Sequence, residues 1–91
     1  TTYHEKPWED TSCLVGYIDH PMISHKSRMY YEKADIVSVR YLNTMLNNSM
    51  NVEVHPTPCS AEVLLRIQRG AANSTFTPKK VLAVLQDQGF I

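Results

Sequence analysis

Five side chains in this 91-residue sequence are of types that bind zinc: Cys13, His20, His25, His55 and Cys59. Imidazole and thiolate are that metal's natural donors, but the spacing argues against a shared ion. His55 and Cys59 stand four apart, which on a helix would place them on one face, and Pro56 and Pro58 forbid that helix. No Cys-x-x-Cys pair is present, so no metal site is expected; the histidines read as surface groups and the cysteines as buried thiols. Covalent catalysis by Cys13 or Cys59 would need a histidine within hydrogen-bond reach, which spacing alone does not supply. There is no glycine-rich phosphate loop, no Gly-x-Ser-x-Gly elbow and no acidic pair on a common helical face. The expectation is therefore a chain that is not an enzyme and takes no cofactor and no small-molecule substrate.

Residues 20–33, HPMISHKSRMYYEK, offer a different chemistry. They interleave Lys26, Arg28 and Lys33 with Tyr30 and Tyr31, and cations beside rings are what contact with RNA phosphates and bases requires. Lys26 and Arg28 are candidate RNA contacts on this ground; the plain alternative is a solvated connection anchored by its tyrosines. Nine basic and nine acidic residues give zero net charge, so composition does not announce a nucleic-acid binder. The distribution is uneven. Residues 1–59 carry more acids than bases, whereas 60–91 carry Arg66, Arg69, Lys79 and Lys80 against only Glu62 and Asp87.

These side chains must be positioned by one small domain, since a 10.4 kDa chain folds to a surface of about 5,400 Å² with a modest core. No apolar run approaches the ~20 residues of a membrane span. The chain begins at Thr1 rather than Met, so an upstream segment is expected to have been removed. No signal-peptide pattern follows, and two cysteines are few for a secreted scaffold, so an intracellular chain without a disulfide is expected.

Residues 1–32 read as an irregular extension, with one candidate strand at 13–18 stopped by Asp19-His20-Pro21. Residues 33–91 read as a small α+β domain. Ile36, Val39, Leu42, Leu46 and Met50 recur at spacings of three and four and predict a helix over 33–49. A short strand is expected over 51–55. Ser60 as N-cap, Glu62 in the first turn and the stripe Val63, Leu64, Ile67, Ala71 predict a helix over 60–69, with Gly70 as its C-cap. Thr77-Pro78 predicts the start of a third helix over 78–88 that Gly89 ends, with Phe90 and Ile91 opening a further strand. The last two helices should pack through Leu64, Ile67, Leu82 and Leu85.

Ala61-Glu62-x-Leu64-x-Arg66-Ile67-x-x-Gly70-x-Ala72, followed by Val81-Leu82-x-Val84-Leu85-x-Asp87-x-Gly89-Phe90-Ile91, resembles the beginning of small-subunit ribosomal protein eight of the bacterial type. The resemblance covers about a third of the chain. It implies a helix, a strand squeezed into Ser74–Phe76 and a second helix. It also implies that Arg66, Arg69, Lys79 and Lys80 touch rRNA phosphates without reading sequence. On this resemblance the protein would be a structural constituent of the ribosomal small subunit, contacting rRNA and neighbouring ribosomal proteins, and its neutral charge and extension would suit an organellar, mitochondrial ribosome. The alternative is a non-catalytic, winged-helix-like protein-binding module of a larger assembly. Its first 59 residues would wrap a partner through Trp8, Leu14, Val15 and Tyr17.

Overall fold

The computed structural model describes residues 1–48 and 54–90. In chain order the elements are β1 (Leu14–Val15), β2 (Ser27–Arg28), a 3-10 turn (Tyr31–Lys33), α1 (Val39–Asn47), α2 (Ala61–Asn73) and α3 (Lys79–Asp87). The architecture is the expected small single-domain α+β fold. β1 and β2 pair antiparallel, Leu14 opposite Arg28 and Val15 opposite Ser27. The N-terminus lies along β2: the Tyr3 N–H donates to the Lys26 carbonyl, and the Arg28 N–H to that of Thr1. β1 stops early because Asp19 Oδ2 accepts the Gly16 N–H at 2.9 Å, while the Asp19 N–H returns to the Gly16 carbonyl, turning the chain.

The core is Cys13, Val15, Tyr31 and Ala71, with Ile23, Met29, Ile67 and Leu85 packed against it. Three of its four members come from residues 13–31, so the segment read as an irregular extension supplies most of the buried centre. α2 presents Val63, Ile67, Gly70 and Ala71 to that centre, positions falling within one narrow stripe at 3.6 residues per turn. Leu64 lies at the edge of the stripe and is 47% exposed. Of the four residues expected to pack α2 on α3, Ile67 and Leu85 pack against this shared centre and Leu64 does not.

Helix boundaries shift for local reasons. Ser60 caps α2 as expected, accepting the Val63 N–H at 3.2 Å. The helix then runs through Gly70 to Asn73, because Gly70 is a point of close approach and not a cap. A Cβ there would collide with the Tyr31 hydroxyl and lie 2.8 Å from Cys13 Cβ. Before α1, the Asp35 carboxylate takes the Ile36 N–H and Ser38 caps by accepting the Tyr41 N–H. Of the predicted helix over 33–49, residue 49 lies outside the described residues, and the rest is the end of a 3-10 turn, an extended link and a nine-residue helix. Such local side-chain bonds compete with the helical ladder.

Thr77 does not cap α3. Its hydroxyl donates to the Ala71 carbonyl at 2.8 Å, and Pro78 takes the N-cap position. At the other end, the Phe90 N–H reaches the Leu85 carbonyl, the Gly89 N–H reaches that of Gln86, and Gly89 has φ +78°. This is a Schellman closure, so Phe90 seals a helix where a strand was expected to open. Ser74–Phe76 form a turn in place of the implied strand. In the expected strand over 51–55, residues 51–53 lie outside the described residues, and 54 and 55 are not in a strand.

Candidate functional site

The six candidate phosphate contacts separate into engaged and free cations. Arg66 donates from Nη1 to Asp19 Oδ1 at 2.6 Å and from Nη2 to the Leu14 carbonyl at 2.5 Å. It thus fastens α2 to β1 and to the turn that ends it, and the guanidinium holds the Asp19 carboxyl below the usual range. Arg28 donates to Glu32 at 3.1 Å, lies 3.4 Å from Glu9 and covers the Tyr30 ring. Its neighbour Glu9 also accepts the His4 and Lys6 N–H groups. Burial opposes the charge on Glu9, and those two donors with Arg28 outweigh it, leaving its carboxyl below the ordinary value. Lys80 pairs with Asp35 at 3.0 Å, and Lys26 sits over the Tyr3 ring. Arg69 and Lys79 are exposed, and among the described residues neither forms a salt bridge.

The histidines of the supposed zinc set do converge in part. His20 and His55 meet edge to face with centroids 4.8 Å apart, at the rim of a groove of about 440 Å³. Its walls are apolar: Val15, Ile23, Met29, Val63 and Ile67, with Met22 at the edge. Both His20 ring nitrogens and His55 Nδ1 already have hydrogen-bond partners. His20 Nδ1 accepts the Met22 N–H at 3.1 Å while its Nε2 donates to the Thr57 carbonyl at 2.7 Å. His55 Nδ1 accepts the Thr57 N–H at 3.0 Å. His20 is thereby engaged at both ring nitrogens, and His55 at Nδ1 alone. Among the described residues no three His, Cys, Asp or Glu side chains gather to hold a metal ion.

Both cysteines are free, Cys13 buried and Cys59 exposed. Burial pushes the Cys13 thiol up, the opposite of what a nucleophile needs. Tyr31 beside it is pushed up for the same reason, and its hydroxyl donates to the Ile67 carbonyl at 2.6 Å.

Asp10 was not singled out from the sequence, and neither were Ile18 and Met22, which join Tyr17 on an exposed turn. Asp10 is buried and accepts from the Ser12 hydroxyl at 2.6 Å and the Ser74 hydroxyl at 2.5 Å. Burial raises its carboxyl, and the bonds from Ser12 and Ser74 outweigh that and hold it low. The turn covers residues 17–22, where Tyr17, Ile18 and Met22 stand exposed, Ile18 at 95%. Asp10-Thr11-Ser12 is a recognisable local turn pattern, but its bond to Ser74, 64 residues away, left no trace in spacing.

No family model matches the chain, and no characterised protein or solved structure matches it either.

Proposed function

We propose that the protein is a non-catalytic binding component of a larger assembly, seated on a partner protein through the apolar groove and the turn beside it. The observation carrying this reading is the exposure of Tyr17, Ile18 and Met22 next to a groove walled by Val15, Ile23, Met29, Val63 and Ile67. A contiguous apolar surface of this kind marks an interaction site, and methionine adapts readily to a partner's shape. Val15, expected in the partner contact, is a core residue that also forms part of the groove wall, while Trp8 and Tyr17 remain exposed. The engaged His20 nitrogens and the high Cys13 thiol support the non-catalytic part.

The resemblance of residues 60–91 supports a more specific form: a ribosomal small subunit, in a mitochondrion or other organelle, with rRNA beside the module. Arg69 and Lys79 are the cations best placed for phosphate, because Arg28, Arg66 and Lys80 already neutralise carboxylates of their own chain. The test is sedimentation of the native protein with ribosomal particles. Ile18→Asp with Met22→Asp should abolish co-sedimentation, and Arg69→Glu with Lys79→Glu should weaken it and flatten its salt dependence. Co-sedimentation untouched by the first pair overturns the groove reading, and a protein that never travels with ribosomal particles overturns the ribosomal one.

A further inference from the structure

We infer that Arg66 is a positioning residue of the docking surface: paired with Asp19, it holds the turn over residues 16–23 in one conformation and presents Tyr17, Ile18 and Met22 to a partner already ordered. The inference rests on the reading of that turn and groove as the docking surface, and it takes Arg66 out of the set of phosphate contacts.

The turn is tied internally and on both flanks. The Asp19 and His20 N–H groups reach the Gly16 carbonyl at 2.9 and 3.3 Å, and the Ile23 N–H reaches that of His20 at 3.0 Å. Asp19 divides its carboxylate: Oδ2 accepts the Gly16 N–H at 2.9 Å, and Oδ1 accepts from Arg66 Nη1 at 2.6 Å. Arg66 divides its guanidinium in the same way, with Nη2 donating to the Leu14 carbonyl at 2.5 Å. One planar, forked group therefore fixes α2, the end of β1 and the turn relative to one another, a geometry that a lysine ammonium does not reproduce. On the other flank His20 Nε2 donates to the Thr57 carbonyl at 2.7 Å, and its Nδ1 accepts the Met22 N–H at 3.1 Å.

What these bonds hold outward is apolar. Tyr17 is 71% exposed and Met22 66%, whereas the Asp19 side chain between them is only 13% exposed. The turn points its carboxylate inward and its large apolar side chains outward, the reverse of the usual arrangement. A loose loop would lose affinity to its own ordering on docking, and a turn fixed beforehand by polar bonds within the chain does not.

Co-sedimentation of the full chain with ribosomal particles tests this, together with backbone nitrogen relaxation of the free protein, for Asp19→Asn, Arg66→Gln and the double variant, each compared where circular dichroism shows it folded. Either single change should weaken co-sedimentation by at least about tenfold, the scale of leaving one further backbone residue to be ordered on docking. The double variant should lose no more than either one, because both remove the same brace. Order parameters at Tyr17, Ile18 and Met22 should fall from about 0.85, the rigid-backbone value, toward about 0.6. Arg66→Lys restores the charge pair without the second donor and should recover part of both losses. Losses that add in the double variant would mean that Arg66 touches the partner itself, and they overturn the inference, as do unchanged order parameters in the single variants. Co-sedimentation untouched by Ile18→Asp with Met22→Asp overturns the docking reading and the inference with it. A parent that never co-sediments overturns the ribosomal reading, and the brace then stands or falls on the order parameters.

Discussion

α1 and α2 are both amphipathic helices capped by a serine, and they meet opposite fates. α2 buries Val63, Gly70 and Ala71, and α1 buries nothing. The stripe of α1 is the cleaner of the two, so apolar periodicity does not separate them. What separates them is the small-residue position and the polar fasteners. Gly70 lets the Tyr31 hydroxyl and Cys13 come against the helix backbone. Arg66 then ties the helix to Leu14 and Asp19, and Asp10 ties its end at Ser74. α1 has no small residue on its apolar face and, among the described residues, no long-range side-chain bond of its own. A stripe shows that a helix has something to bury; close approach and anchoring decide against what.

The sharpest way to break this contrast is to remove the close approach. Gly70→Ala should destabilise the protein by about 1–3 kcal/mol, as overpacking does, even though alanine favours helix. Urea unfolding checks this, and Tyr31→Phe on that background should recover part of the loss by removing the nearest clashing atom.

The anchor at Asp10 comes next. Asp10→Ala leaves the buried Ser74 hydroxyl without its acceptor and should cost about 1–3 kcal/mol. The same anchor predicts acid sensitivity. Asp10 and Asp19 carry carboxyls held below the ordinary value, so the folded state takes up protons less readily than the unfolded one. Their stabilisation is present above about pH 4, near the value of a free aspartate, and is lost as pH falls through the lower folded values. Stability measured against pH should drop in that acid range, and Asp10→Asn should flatten part of the drop.

The smallest effect is expected in the unanchored helix. Leu42→Ala should change monomer stability by less than about 0.5 kcal/mol, as surface changes do, whereas Val63→Ala in α2 should cost clearly more. Equal losses at the two sites would mean that α1 contributes to the monomer's core after all.

Much of the helical layout was legible in sequence because caps and stripes are local. Ser60, Gly89 and the run Val81, Leu82, Leu85 placed the last two helices within a few residues. Gly70 was misread because a glycine near a helix end suits a cap as well as a close approach, and only the partner atoms distinguish them. In the N-terminal layer the candidate strand at 13–18 contains β1, and what was missed is its partner β2, two residues long and too short for alternation to register. The candidate site was least legible. The charges of Arg28, Arg66 and Lys80 suggested phosphate, yet the carboxylates that meet Arg66 and Lys80 lie 47 and 45 residues away. The groove that brings His20 to Thr57 joins segments 37 residues apart.

Native-state hydrogen exchange tests the contrast between the two helices most directly, with amides of α1 and α2 followed in dilute protein and again at high concentration. The account predicts that α2 amides around Ile67–Ala71 are strongly protected at both concentrations, and that α1 amides exchange nearly freely in dilute protein. Protection of α1 in dilute protein equal to that of α2 would contradict it.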